Sequence, residues 1–459
     1  IGAGPGGYAA AFRAADLGLD VMMVDVADRP GGVCLHRGCI PSKTYLHLAE
    51  LMHDARGAGA MGVVFENPRI DLAAVRSWKE RVVDRLARGL VSLTEKRGIQ
   101  YVQGRAMFED DRRVRIRGRD SLRVAFEHAV IAAGSHAVPL PGAEFGQGGR
   151  IMSSAGALNL ADIPERLLVV GGGYVGLELG MVYAALGSRV TLVELGDRLL
   201  PGVDADLVAP LRKRLEDTFE ALLFDTRVTG CDGSQDGLTA LLQGEGAPDR
   251  LAVDRVLVAI GRRPNTDRLG LEAAGVPLNA DGFIDVDEHQ RTEVPHIYAI
   301  GDIVGGVMLA HKAMVQGKVA AEAIAGRPSA FDVRAIPAVV YTDPQIAWAG
   351  FSEAEARRQG RAVAVETFPW KYSARALTTG APAGLTKMIV EAGTHRLIGM
   401  GIVGRGAENL IAEGVLAIEM GALAEDVALS VHAHPTLSET EGETAEIFLG
   451  SATHILPRK

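Results

Sequence analysis

Cysteine is nearly absent: three residues in 459, at positions 34, 39 and 231. So few cannot build a disulfide framework. The scarcity predicts a reducing compartment, the cytoplasm, where a disulfide that persists serves catalysis more often than structure. An excess of basic charge is also missing. Lysine and arginine number 48 against 57 acidic residues, a net charge of −9, which argues against nucleic acid as a partner. No apolar run reaches the roughly 18 residues that a bilayer crossing needs, so no membrane span is expected. An initiator methionine is absent too. The chain opens on Ile1, already inside a motif, and its start is expected upstream of this numbering.

The residues present describe a soluble globular chain: 47% apolar, 23% charged, mean hydropathy +0.13. The length corresponds to roughly three domains of ~150 residues.

"IGAGPGGYAAAFRAADLGLDVMMVD" reads as a strand end, a glycine turn, a helix and a second strand. Gly2, Gly4 and Gly7 supply G-x-G-x-x-G, which gives a tight turn, room for a pyrophosphate and close helix–strand packing. The helix amino end then faces the phosphates, and Asp25 closes the second strand where a carboxylate meets ribose hydroxyls. The arrangement recurs at "LLVVGGGYVGLELGMVYAALGSRVTLVE" with Gly171, Gly173, Gly176 and Glu194. Turn and acid are separated by 23 positions in both copies, Gly2 to Asp25 and Gly171 to Glu194. Two dinucleotides are therefore expected. Glu194 suits a free 2′-hydroxyl and repels a 2′-phosphate, so the second cofactor is expected to be NAD and not NADP.

Cys34 and Cys39 lie within "GGVCLHRGCIPSK". Five helical steps would set them about 140° apart. A bridge therefore needs an irregular turn, for which Gly38 is available, and Pro41 suits the first turn of a helix starting just afterwards. From the residues alone, three readings stand: a structural bridge, half of a zinc site completed by His432 and His434, or a redox pair with a lowered thiol pKa near a helix amino end. Two dinucleotide signals call for electron transfer, which zinc does not provide. No metal is expected.

With its two fingerprints, "GGVCLHRGCIPSK" resembles the FAD-dependent pyridine nucleotide–disulfide oxidoreductases, class I, and within them the dihydrolipoamide dehydrogenases. Further strings carry the likeness nearly end to end: "VLVAIGRRPNT", "HIYAIGDIVG", "LAHKA", "IPAVVYTDPQIAWAG" and "HAHPTLSE". The resemblance implies an α/β fold of two Rossmann-like dinucleotide-binding domains plus a C-terminal α+β dimerisation domain. Residues 1–140 would bind FAD and 141–265 NAD. Residues 266–335 would return to the FAD side, and 336–459 would form the interface. It also implies oxidation of protein-bound dihydrolipoamide to lipoamide, with electrons passing through Cys34–Cys39 and FAD to NAD⁺. Cys34 would exchange with the substrate and Cys39 would face the flavin. Lys43, paired with Glu178, would sit by the flavin's reactive edge. Asp302 would bond the ribitol, Ala310 would open a helix aimed at the pyrimidine edge, and Ala106 would contact the adenine through its backbone. Val228 and Gly261 would lie along NAD. His434, oriented by Glu439, would be the base, and His432 would support it. The partners implied are a second copy, whose base completes the site, and a lipoylated carrier protein or lipoyl domain.

The chain departs from the family pattern at His36-Arg37, at Gln316 and at Asp25. A cation beside the cysteines would lower a thiol pKa or attract an acidic carrier. Two alternatives remain at this point: another NAD(P)H-dependent disulfide reductase of the same superfamily, and a catalytically silent scaffold subunit of a lipoyl-dependent complex. The stretch 71–97 is expected to be a long, charged, solvated helix. The stretches 142–150 and 230–250 are expected to be turn-rich loops or hairpins.

Overall fold

The computed structural model describes residues 1–66, 68–146, 149–234 and 237–456. Parts of the two turn-rich stretches, at 147–148 and 235–236, and the last three residues lie outside them.

The chain starts in the middle of a sheet. Ile1 donates through its amino group to the carbonyl of Val130 (2.7 Å) and accepts from the N–H of Ala132 (2.8 Å). Gly2 donates to Val24 (2.7 Å). Ile1 and Gly2 are thus a strand stub between Met22–Asp25 and Ala129–Ile131. On one side Met22–Asp25 pairs in parallel with Gln100–Gln103, and on the other Ala129–Ile131 pairs in parallel with Ile297–Ala299. Parallel strands that carry no alternation are buried on both faces, and Ile131, Ile297 and Ala299 are all fully buried. Helix α1 (Pro5–Asp16) follows the first glycine turn. Helices α2 (Gly32–Arg37) and α3 (Cys39–Gly57) carry the cysteines, and α4 (Leu72–Lys96) is the expected solvated helix. Asp71 caps α4 by accepting from the N–H of Ala74 (3.0 Å).

A second parallel sheet has five strands in the order Ala221–Leu223, Arg189–Val193, Arg166–Val170, Arg255–Val258, Ile151–Met152. Helix Tyr174–Leu186 crosses between its central strands. The described part of the stretch 230–250 is antiparallel: Arg227–Ser234, Gly237–Gln243 and Arg250–Val253 pair in that order. Residues beyond 336 build a five-stranded antiparallel sheet, Ala338–Val340, Ile346–Gly350, Leu397–Val403, Leu385–Glu391, Val363–Pro369. Helices Ala407–Met420 and Glu439–Leu449 pack on it. Trp370 is fully buried there, and its indole N–H donates to Thr386 Oγ1 (2.9 Å). The Thr386 hydroxyl in turn meets that of Thr440 (2.7 Å). Truncating a side chain packed this way costs about 3–5 kcal/mol. Its hydrogen-bond chain fixes the helix that begins at Glu439. Among the described residues, no helix is long and apolar enough to cross a membrane.

Candidate functional site

The two glycine turns have the same internal construction. Gly2 and Gly171 take φ values of +100° and +109°, which glycine tolerates and L side chains avoid. A Cβ on Gly7 would stand 1.9 Å from the carbonyl oxygen of Gly2, and one on Gly176 would stand 2.2 Å from that of Gly171. A Cβ on Gly173 would meet nothing within 4 Å, which is the open approach a pyrophosphate needs. Neither following helix has a side-chain cap, so first-turn N–H groups are left for a ligand. The acids are tied to their turns. Asp25 accepts from the N–H groups of Ala3 (2.6 Å) and Ala27 (2.8 Å). Glu194 accepts from those of Gly172 (2.6 Å) and Gly196 (2.8 Å). Both turns fit a dinucleotide.

One cleft of ≈ 310 Å³ joins the first turn to the cysteines. Gly2, Gly4, Asp25, Cys34, Cys39, Lys43, Glu178, Asp302 and Ala310 all line it, as do Arg37 and Tyr174. Gly32 brings the cysteine segment this close, since a Cβ there would fall 2.5 Å from the Cα of Gly4. The helix after the irregular turn begins at Cys39 itself, with Gly38 just before it and Pro41 in its first turn, as expected. Gly38 breaks the helical path, and Ser42 closes the new first turn by donating to Gly38 (3.0 Å). Pro41 sits inside that turn, where a missing N–H costs nothing. The break turns two sulfurs that a regular helix would separate toward each other.

Both cysteines are free thiols in hydrogen-bond contact. The bond from Cys34 stabilises a thiolate at Cys39, and Lys43 adds to it. Together they outweigh burial and hold the Cys39 pKa down to about 7. Cys34, as the donor and partly buried, is pushed up. Lys43 is held in turn: its Nζ donates to Glu178 Oε2 (2.8 Å) and lies 4.4 Å from the centre of the Tyr341 ring. Glu178, 3% exposed, also accepts from the Tyr341 N–H (3.0 Å). His36 is turned away, its Nε2 3.0 Å from the carbonyl of Pro30. The cation that acts on Cys39 is Lys43.

At the far wall, Asp302 bonds Ser135, and Ser135 accepts from Arg262 Nε (2.7 Å). Gln316 accepts from the Gly301 N–H (2.9 Å), so the glutamine that departs from the family pattern supports the Asp302 turn. Lys312, its pKa lowered by burial, donates to Gly305 (2.6 Å) and pins the same turn. Ala310 is the first residue of helix Ala310–Ile324. Ser135, Arg262, Lys312 and Tyr341 were not singled out from the sequence. Each sits inside or beside a quoted string, but its contact is long-range.

Other expected residues lie elsewhere. Ala106 and Val228 are buried on strands Arg105–Phe108 and Arg227–Ser234. Gly261, at φ +131°, faces open space beside Arg262–Pro264. His434 and Glu439 line a separate small cleft, where His434 Nδ1 meets Glu439 Oε1 at 2.9 Å. Burial pushes the Glu439 carboxyl up. The N–H of Thr436 (2.8 Å) and the imidazole outweigh that, and its pKa is lowered. Among the described residues, no histidine lines the cysteine cleft.

The sequence model of the pyridine nucleotide-disulphide oxidoreductases matches residues 1–317, and that of the family's dimerisation domain matches 336–445. A dihydrolipoyl dehydrogenase of Vibrio parahaemolyticus is 45% identical, over 100% of this chain and 96% of its own length. One from Haemophilus influenzae is 46% identical, over 99% and 95%. One from Geobacillus stearothermophilus is 44% identical, over 100% and 97%. LpdA of Mycobacterium tuberculosis superimposes with a TM-score of 0.90 at 27% identity, covering 98% of both chains. The HOCl-induced flavoprotein disulfide reductase RclA of Escherichia coli gives 0.86 at 26% identity, covering 97% and 98%.

Proposed function

Because the chain belongs to the pyridine nucleotide-disulphide oxidoreductase family, an FAD- and NAD-using group of oxidoreductases, we propose that it oxidises protein-bound dihydrolipoamide to lipoamide, with NAD⁺ as acceptor. The observation that carries this reading is the Cys34–Cys39 pair. It has a low-pKa sulfur beside Lys43, in the cleft that continues from the first dinucleotide turn. Full-length identity to dihydrolipoyl dehydrogenases supports the substrate.

FAD would be held by Gly2, Gly4, Gly7, Asp25, Lys43, Asp302, Ala310 and the backbone of Ala106. NAD would be held by Gly171, Gly173, Gly176, Glu194, Val228 and Gly261. When bound, FAD supplies an acceptor for the electron pair of the dithiol, and NAD⁺ supplies the final hydride acceptor. The chain's own residues carry the sulfur chemistry. His434 takes the proton of the first substrate thiol, and Glu439 holds the resulting imidazolium. The substrate thiolate attacks Cys34 of the disulfide. A substrate–Cys34 bond forms, the Cys34–Cys39 bond breaks, and Cys39 leaves as thiolate. The second substrate thiol then attacks its own sulfur in the mixed disulfide, releasing lipoamide and leaving a proton and an electron pair on Cys34. A leaving sulfur with a lowered pKa departs faster, and Lys43, anchored by Glu178, keeps Cys39 in that form.

The base and the cysteines occupy different clefts of one chain. The dimerisation domain supports a homodimer, and we assign His434 to its partner's cysteine cleft. The carrier is then a lipoylated protein whose arm enters between the subunits. We divide the chain at 140, 265 and 335, with one antiparallel pair, Ser135–Ala137 and Arg262–Pro264, running between the first segment and the second, and we place the protein in a reducing cytoplasm.

The test is NADH formation by the purified flavoprotein with dihydrolipoamide and NAD⁺, repeated with several lipoylated carriers. The wild type turns over. Cys34→Ser keeps its yellow flavin and loses turnover. A yellow wild-type protein that never reduces NAD⁺ would instead be a scaffold subunit.

A further inference from the structure

Residues 451–456 fold back along the final helix. Ser451 donates to the Glu446 carbonyl (2.9 Å), and the Thr453 N–H bonds the Glu446 carboxylate. The His454 N–H reaches Glu443 Oε2 (3.4 Å), and its imidazole Nδ1 meets Glu443 Oε1 (2.5 Å). Ile455 packs against the apolar core beneath the antiparallel sheet. Glu439 and Glu443 are four residues apart on this helix, so they share a face. The tail thereby places a second histidine–glutamate pair next to His434–Glu439, and all four residues line one cleft with Tyr372 and Thr440.

We propose that His454 and Glu443 are a positioning pair that sets the basicity of His434 through Glu439, without touching substrate. The proposal rests on the reading of His434 as the base. A protonated His454 draws on the Glu439 carboxylate and leaves less negative charge for the His434 imidazolium. Glu443 neutralises His454 and restores it. His454 therefore makes His434 a weaker base, and Glu443 makes it a stronger one. The field of His454 on Glu439 has the required direction, since it adds to the lowering of the Glu439 pKa.

The other charged and titratable groups around the cleft are accounted for. Glu446, on the same helix, is pushed up by burial and by Glu443, and is opposed by His454 and His432. His432 meets Glu413 of helix Ala407–Met420, with Nε2 2.8 Å from Oε1. Tyr372 comes from the turn after Val363–Pro369, with the Lys371 ammonium 4.9 Å from its ring centre. Among the described residues, Glu446 is the one of these groups that also acts on Glu443 and His454.

The experiment is the pH profile of kcat/KM for the holoenzyme homodimer with free dihydrolipoamide and NAD⁺. Its acid limb reports the group that must be unprotonated to accept the thiol proton. His454→Gln, and His454→Asn as a second variant, should move that limb to higher pH. Glu443→Gln should move it to lower pH, and the double variant should fall between. Rates on the limb should change about two- to tenfold, and less at high salt, because the pair is partly solvated. Lowered kcat with an unmoved limb, or shifts of one sign in both single variants, overturns the proposal. His434→Gln, run alongside, should lose about 10²-fold or more. If it is inactive and the tail variants leave the limb in place, the tail proposal alone fails. If His434→Gln keeps full turnover, the base reading fails and the proposal falls with it.

Discussion

Glu441 follows the His434–Glu439 motif by two residues and is fully buried, and neither of its carboxyl oxygens has a partner among the described residues. An isolated carboxylate in such a place is costly, so the group takes a proton instead. Burial first, and Glu413 second, raise its pKa to about 9 from an ordinary 4.5. The folded state therefore holds a proton that the unfolded chain releases above its own pKa. Stability falls as pH rises through the window between 4.5 and about 9, by roughly 1.4 kcal/mol per pH unit. At about pH 7 the accumulated penalty is on the order of 3 kcal/mol, and at about pH 5 it is under about 1 kcal/mol. Glu441→Gln keeps the shape and abolishes the titration. It should raise stability by up to about 3 kcal/mol near neutrality and by little at about pH 5. The assay is urea unfolding of the holo homodimer at fixed protomer concentration, with the midpoint and slope measured at both pH values. A gain that is the same at both, or no gain at either, would refute the claim that this carboxyl is held neutral.

The remaining predictions concern the turn, the thiolate and a buried cation. Gly7→Ala places a Cβ in a space 1.9 Å from the Gly2 carbonyl oxygen, so purified protein should carry far less flavin, read from its visible absorbance per chain. Lys43→Met removes the cation that helps to hold Cys39 near 7. The pH midpoint for alkylation of Cys39 in the reduced enzyme should rise toward that of an ordinary thiol, and an unchanged midpoint would remove Lys43 from the account. Lys387, 2% exposed, meets Asp204 (3.0 Å), Asp206 (2.9 Å) and Glu353 (2.9 Å), joining the second parallel sheet's region to the antiparallel sheet. Lys387→Met leaves three carboxylates facing one another and should cost about 1–3 kcal/mol in urea unfolding, because only Asp204 among them is buried while Asp206 and Glu353 stay partly solvated.

Much of the site was legible because its determinants are local. A glycine turn with an acid 23 positions on is one continuous strand–helix–strand unit, and both copies fold with matching hydrogen bonds. Cys34 and Cys39, and His434 and Glu439, are likewise each held within a single short segment. What the sequence concealed depends on distant partners. Asp25 and Glu194 looked free for ribose, yet each also fastens its own turn. Gly38 was legible as the turn between the cysteines, but not the contact that fixes it there: a side chain would press on the carbonyl of Val33, 3.0 Å away. Lys387 and its Asp206 partner are 181 residues apart, and no periodicity announces such a contact. Glu441 and His454 sit in ordinary polar strings. Only the packed structure shows, among the described residues, one without partners and the other in the cleft of His434.

The proposed activity requires a sulfur pair that opens and closes with the substrate, and that can be read chemically. Oxidised holoenzyme is unfolded in alkylating reagent, before and after anaerobic reaction with dihydrolipoamide, and its peptides are mapped. Before reaction, only Cys231 should be labelled and residues 34 and 39 should be joined. After reaction, all three cysteines should carry label. Label on Cys34 and Cys39 before any substrate is added, or a pair that stays joined afterwards, would contradict it.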